Sequence, residues 1–134
     1  MNKLTDTRRA AIVRALCEGN SVRATARLTT TAKATVLKLL VELGEFASIY
    51  QDVTLRNLTC KTVEAGEIWS FVGAKAANAT KEGQGDMWTY TALCADSKLM
   101  ISWLVGPRTG EATREFMADL APRLANRVQL TTDG

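Results

Sequence analysis

Glu64-Ala65-Gly66-Glu67-Ile68-Trp69-Ser70-Phe71-Val72-Gly73-Ala74-Lys75 is the stretch on which the fold is decided. Ile68, Trp69, Phe71 and Val72 are β-branched or aromatic, which predicts a largely buried strand of about eight residues headed by acidic side chains. Upstream of roughly residue 60 the apolar residues recur at the 3–4 spacing of helices. Downstream the pattern changes to strands.

After the first strand, Asn78 to Gly85 is a polar loop with glycines, and Met87 to Ala95 reads as a second strand. Asp96-Ser97-Lys98 is a turn into a third strand, Leu99 to Val105, so the second and third form a hairpin. Gly106-Pro107-Arg108 ends it, and Thr109 is placed to cap a helix with Ala112, Phe116, Met117, Leu120 and Leu124 along its core face. Val128 to Thr132 is a fourth strand, ending in Asp133. Three antiparallel strands, a helix and a strand are the opening order of a ribonuclease-H-like domain. In that fold the first and fourth strands lie side by side.

Upstream, Leu4 to Glu18 predicts a first helix, capped by Thr7 or Asp6, with Ile12, Val13 and Leu16 inward and Gly19 as its stop. Ser21 caps a second helix, Val22 to Leu28, with Val22, Ala24 and Ala26 facing inward. One of Thr29, Thr30 and Thr31 caps a third, which runs to about Leu43 on a stripe of Val36, Leu39, Leu40 and Leu43 before Gly44 ends it. Phe46 to Leu58 continues as a helical extension or linker. Three short helices with a tight turn between the second and third form the pattern of a helix-turn-helix domain. The expected division is 1–58 for that domain and 59–134 for the incomplete ribonuclease-H-like one, an α+β chain overall.

In the third helix Thr31, Lys33, Ala34, Thr35 and Lys38 are expected to face out, with small and polar side chains able to reach base edges and the lysines phosphate. Arg23 and Arg27 share one face of the second helix, and Arg8 and Arg9 add cations on the first. Residues 1–61 carry ten Lys or Arg against five Asp or Glu, and residues 62–134 seven against nine. A basic half joined to a mildly acidic one suits a nucleic-acid-binding module attached to something else. A three-helix bundle with solvated basic faces, used only for protein contact, is the competing reading.

Composition narrows the chemistry. The 134 residues include three cysteines and no histidine, which excludes a Cys/His zinc site of ordinary spacing and any histidine-based triad. Cys17, Cys60 and Cys94 are expected to be ordinary buried thiols. Catalysis, if present, falls to carboxylates. With 46% hydrophobic and 23% charged residues, and no apolar run of membrane-spanning or signal-peptide length, a cytoplasmic protein with no membrane association is expected.

Glu67-Ile68-Trp69-Ser70-Phe71-Val72-Gly73-Ala74-Lys75, Asp96-Ser97-Lys98, Trp103-Leu104-Val105-Gly106, Arg114-Glu115-Phe116-Met117 and Thr131-Thr132-Asp133-Gly134 resemble a DDE transposase of bacterial insertion sequences, most closely the insertion-sequence-one family. Arg8-Arg9-Ala10, Leu16-Cys17-Glu18-Gly19 and Thr35-Val36-Leu37-Lys38-Leu39-Leu40 resemble that family's helix-turn-helix. The resemblance implies a recombinase that binds the double-stranded terminal inverted repeats of its element, with a homo-oligomer as a candidate assembly. It cuts and joins DNA through two aspartates and a glutamate holding two Mg²⁺ or Mn²⁺ ions, whose hard character suits oxygen ligands.

By position the resemblance makes Asp133 the second catalytic and metal-binding aspartate and puts Gly66 where the first belongs. The glutamate would lie downstream of Gly134, so one of the three acids is expected here and the chain is expected not to cleave DNA. Strand alternation turns Glu67 to the face opposite Gly66, and Glu64 sits roughly 6–7 Å back along the strand, too far to substitute. Asp86 and Asp96 read as loop and turn residues. The alternative is a helix-turn-helix regulator whose strands serve for dimerisation. Without covering elements, apolar surface on Ile68, Phe71, Leu93, Ile101 or Leu130 is expected to stay open.

Overall fold

Helix α1 spans Asp6–Cys17, α2 Val22–Leu28 and α3 Lys33–Thr54, all but the last residue within the first of two compact units, which meet between Val53 and Thr54. The computed structural model describes residues 3–132. Thr5 caps α1, its hydroxyl accepting from the Arg8 N–H at 3.3 Å, one residue ahead of the cap expected at Asp6 or Thr7. Asp6 lies instead in the first turn, where its charge favours the positive end of the helix dipole. Gly19, at φ +79°, turns the chain out of α1, and the Ser21 hydroxyl opens α2 by accepting from the Ala24 N–H at 3.1 Å.

Ile12, Val36 and Leu39 are the buried centre of this unit, with Leu4, Leu16, Val22, Ala26 and Leu43 packed around them. Two inward assignments change. Thr25, not Ala24, is the fully buried residue of α2. Leu40 is 41% exposed, because a residue next to buried Leu39 is rotated about 100° away from it. The Thr31 hydroxyl donates to the Thr29 carbonyl, and the Val36 N–H reaches Ala32 O to close the first turn of α3.

Gly44 does not end α3. The helix runs through it to Thr54, and Gly44 is absent from the positive-φ glycines. A glycine stops a helix only when it takes the left-handed conformation; inside one it costs about 1 kcal/mol relative to alanine. The good helix formers on either side (Leu43, Glu45, Ala47) carry the ladder across it. The helical extension expected as far as Leu58 stops at Thr54.

The second unit is a four-stranded sheet with one helix packed on it. Strands β1 (Thr62–Val72), β2 (Gly85–Cys94) and β3 (Met100–Gly106) are followed by α4 (Gly110–Leu120) and β4 (Gln129–Thr132). The order across the sheet is β3-β2-β1-β4; β1–β2 and β2–β3 are antiparallel and β1–β4 is parallel. Thr109 caps α4 by accepting from the Ala112 N–H at 3.2 Å. Ala112, Phe116 and Leu120, four residues apart, turn one helix face onto Val63, Tyr90, Ala92, Cys94 and Ile101 of the sheet.

The first strand is not largely buried. Val63 is fully enclosed, but Ile68 is 59% and Phe71 45% exposed, and Trp69 and Val72 are open as well. β4 pairs only with Thr62–Ala65, and β3 reaches along β2 only as far as Trp88. Ile68 and Val72 fall on the face opposite α4, and from Ser70 onward β1 has β2 alone beside it, a two-stranded ribbon with little to bury itself against. Of the apolar residues expected to stay open, Ile68, Phe71 and Leu130 do; Ile101 is fully buried under α4. The fold is mixed α+β, with four α-helices and one mixed sheet among the described residues, where no helix is long and apolar enough to cross a membrane.

Candidate functional site

Two places carry the candidate residues. The first is the outward surface of α2 and α3. Arg23, Arg27, Lys33, Ala34 and Lys38 are open to solvent to differing degrees, and Thr31 and Thr35 are half-buried. Arg8 serves the structure itself. Its guanidinium donates to the Thr30 carbonyl at 2.6 Å and the Thr29 carbonyl at 3.3 Å, closing the C-terminal end of α2. Arg9 lies 3.7 Å from Glu42. The α2–α3 turn is thus tied to α1 through Arg8, with Thr30 in the left-handed region at φ +51°.

Leu37 and Val41 also stand on the exposed side of α3, 42% and 62% open, and lie outside the outward set expected from the sequence. Their spacing from Ala34, three and seven residues, is the signal that identifies them. Small and apolar side chains between lysines are what a thymine methyl and flanking phosphates can meet.

The second place is where β1 and β4 run together. Their parallel pairing begins at Thr62↔Gln129 and its last pair is Ala65↔Thr132. Gly66 follows Ala65 directly. Asp133, the candidate acid after Thr132, lies outside the described residues.

The pleat divides the neighbouring carboxylates. Val63, Ala65 and Glu67 alternate on the side covered by α4, where a cleft of about 330 Å³ is lined by Glu67, Trp88, Arg108, Phe116 and Met117, among others. There Arg108 Nε donates to Glu67 Oε2 at 2.6 Å, while its guanidinium lies 4.9 Å from the centre of the Trp88 ring. Glu64 and Gly66 take the alternate positions, beside Thr91, Leu93 and Thr131 along a shallow open cleft. Glu64 is exposed, and Gly66 brings no side chain.

A pair of Mg²⁺ or Mn²⁺ ions needs several convergent oxygen ligands. The described residues do not fit that need. Glu67 is held by Arg108, Glu64 stands on the other face, and no group of three or more His, Cys, Asp or Glu gathers among them. Asp86 is not a loop residue: it lies in β2, opposite Phe71, and accepts from the Ala76 N–H at 2.9 Å, whereas Asp96 is in the turn after β2.

Two titratable clusters lie away from both places. Cys60 and Cys94 are buried with their sulfurs 2.9 Å apart, whereas Cys17 is exposed, contrary to its expected burial. Hydrogen bonding from Cys60, then from Ser97, draws the Cys94 thiol down to about 7, while burial pushes Cys60 up to about 11. Asp119 accepts from Arg123 at 2.8 and 3.0 Å and from the Ser102 hydroxyl, and the Arg123 bonds hold it below the ordinary carboxylate range.

A scan against protein-family models matches none to this chain, and a search of the curated proteins finds no match.

Proposed function

We propose that this chain is a DNA-binding protein related to the DDE transposases of insertion sequences, and that it does not itself cut DNA. The observation that carries the proposal is the parallel pairing of β1 with β4 up to Ala65↔Thr132. The next residue after Ala65 is Gly66, and the next after Thr132 is Asp133. Sheet order β3-β2-β1-β4 with a helix before β4 supports a ribonuclease-H-like reading of the second unit. The tight α2–α3 turn and the outward Arg23, Arg27, Lys33 and Lys38 support a helix-turn-helix reading of the first.

The chemistry of the intact family would be two-metal phosphoryl transfer, in which carboxylates hold the cations against the attacking and leaving oxygens. Gly66 removes a ligand, and the Arg108 guanidinium competes for the nearest substitute, Glu67. That combination also favours the second reading, a helix-turn-helix regulator without catalysis. Target sequence separates the two: terminal inverted repeats for a transposase relative, an unrelated promoter for a regulator.

The test uses the full chain with labelled duplexes of both kinds and Mg²⁺ or Mn²⁺. Salt-sensitive binding and no strand nicking are expected. Lys33→Ala with Lys38→Ala should weaken binding to all sequences and lower the slope of log K against log salt by about 2. Unchanged binding in that double variant removes the role given to α3. Nicking that disappears in Asp133→Ala overturns the claim that the chain is inactive.

A further inference from the structure

The buried stripe of α3 does not stop where its packing does. Val36, Leu39 and Leu43 belong to the core of the first unit, and the 3–4 alternation continues unbroken through Phe46, Tyr50 and Val53. That spacing lines these residues along one helix face, which a facing helix can cover by seating each apolar side chain between its own. Yet Phe46 is 65%, Tyr50 61% and Val53 73% exposed, and Ile49 beside them 67%. The Phe46 and Tyr50 rings stack on one another with centroids 6.2 Å apart, presenting a continuous apolar surface.

Charge selects the occupant. No Lys or Arg lies between Lys38 and Arg56, so this half of α3 has no cation to offer a phosphate backbone. The positions flanking the seam are Leu40, Ala47 and Thr54 on one side and Glu42 and Ile49 on the other. Glu42 alone is charged, and it is already paired with Arg9 at 3.7 Å. Glu45 and Asp52 fall one position further round, away from the seam. A neutral seam calls for no oppositely charged partner, and an identical helix meets it without facing like charges. A two-fold pair is self-complementary by construction.

The area reaches what a small helix pair needs. At about 150–250 Å² for an aromatic side chain and somewhat less for Ile and Val, Phe46, Ile49, Tyr50 and Val53 leave on the order of 500 Å² open per copy, so pairing two copies can bury up to about 1,000 Å², the lower bound for a specific interface.

We propose that the Phe46–Val53 half of α3 is a dimerisation surface that takes the same helix of a second copy of this chain. The pairing is independent of DNA and of the reading given to the first unit.

Sedimentation or light scattering on the full chain across micromolar concentrations tests it. Twice the monomer mass is expected for the wild type. Phe46→Glu with Ile49→Glu should give a monomer up to at least 100-fold higher concentration. Both side chains are solvent-exposed, so the double variant should keep the wild-type helical circular dichroism and melting cooperativity. A wild-type chain that stays monomeric at 100 μM overturns the proposal, as does a dimer unaffected by the double variant. In the second case another surface holds the copies together. If the double variant unfolds, single Val53→Lys at the helix end serves the same comparison. DNA binding by a monomeric variant would leave the functional reading intact while the dimer surface is confirmed, so the two can fail separately.

Discussion

Arg123 is a buried cation in a chain with few buried charges, and Asp119 answers it. Its guanidinium, about 6% exposed as a side chain, donates twice to the Asp119 carboxylate, which also takes the Ser102 hydroxyl. This ties the end of α4 to β3. Breaking one side of such a pair strands the other charge; because Asp119 is itself 42% exposed, the loss is placed below the fully buried range. Asp119→Asn should lower stability by about 1–3 kcal/mol, measured by urea unfolding at pH 7. The pH sign follows from the depressed carboxyl: its contribution is fully present above the unfolded-state value and is lost as pH falls through the lower folded value. Wild-type stability should therefore decline below about pH 4, and the part of that decline due to this group should vanish in Asp119→Asn. An identical acid slope in both proteins would mean that the pair is not what holds the carboxyl down.

Other residues show what a single position can hide. Glu67 and Glu64 make the head of β1 look well supplied with acids in the sequence, but Glu67 is bound by an arginine forty-one residues away. Nothing local in the sequence marks that partnership. The strand period does give the faces correctly, since alternation needs only the pleat.

At the scale of elements, the starts of α2 and α4 are legible, although α1 begins one residue ahead of its expected cap. Ser21 and Thr109 carry hydroxyls that satisfy an N–H three residues on, and both cap as their sequence context implies. An end, by contrast, depends on which conformation a glycine adopts. Gly19 has φ +79° and stops α1; Gly44 is helical and stops nothing. The difference has a measurable consequence. No atom lies within 4 Å of a methyl added at Gly44, so Gly44→Ala should stabilise the chain by about 1 kcal/mol, whereas Gly19→Ala should destabilise it by a similar amount through its left-handed backbone. Thermal unfolding of the two variants gives opposite shifts; a loss of stability in Gly44→Ala would contradict a continuous α3.

The exposure of β1 departs from its composition for an equally physical reason. Aromatic and β-branched residues show a preference for strands, not for what lies over them. Ile68 stands with Gly66 on the face that α4 does not cover, and Phe71 lies past the ends of β3 and β4, whose lengths come from pairings made many residues away.

For the molecule as a whole, the order of strands is readable from the sequence and their completeness is not. Alternating apolar runs, a turn at Asp96-Ser97-Lys98 and one amphipathic helix suffice to give three strands, a helix and a fourth strand. The sequence does not say that a cleft forms between Glu67 and α4, or that Arg108 crosses it to lie over Trp88. Both arise from the packing of α4 against β2, after the chain has closed. The outward surface of α3 is legible in part: Lys33 and Lys38 are evident from charge, whereas Leu37 and Val41 look like core residues until the helix phase is fixed by Val36 and Leu39.

The parallel ladder between β1 and β4 also has a consequence for how the sheet opens. β2 and β3 are joined by a short turn, but Thr62 must find Gln129 across most of the second unit, and that contact carries the larger loop-closure entropy. Four exposed residues then hold the edge in place. Amide hydrogens of β2, bonded on both sides, should exchange at least about tenfold more slowly than those of Gln129–Thr132, and comparable rates along both strands would refute an easily opened edge. The edge that the proposed site depends on is thus the part of the sheet expected to open first.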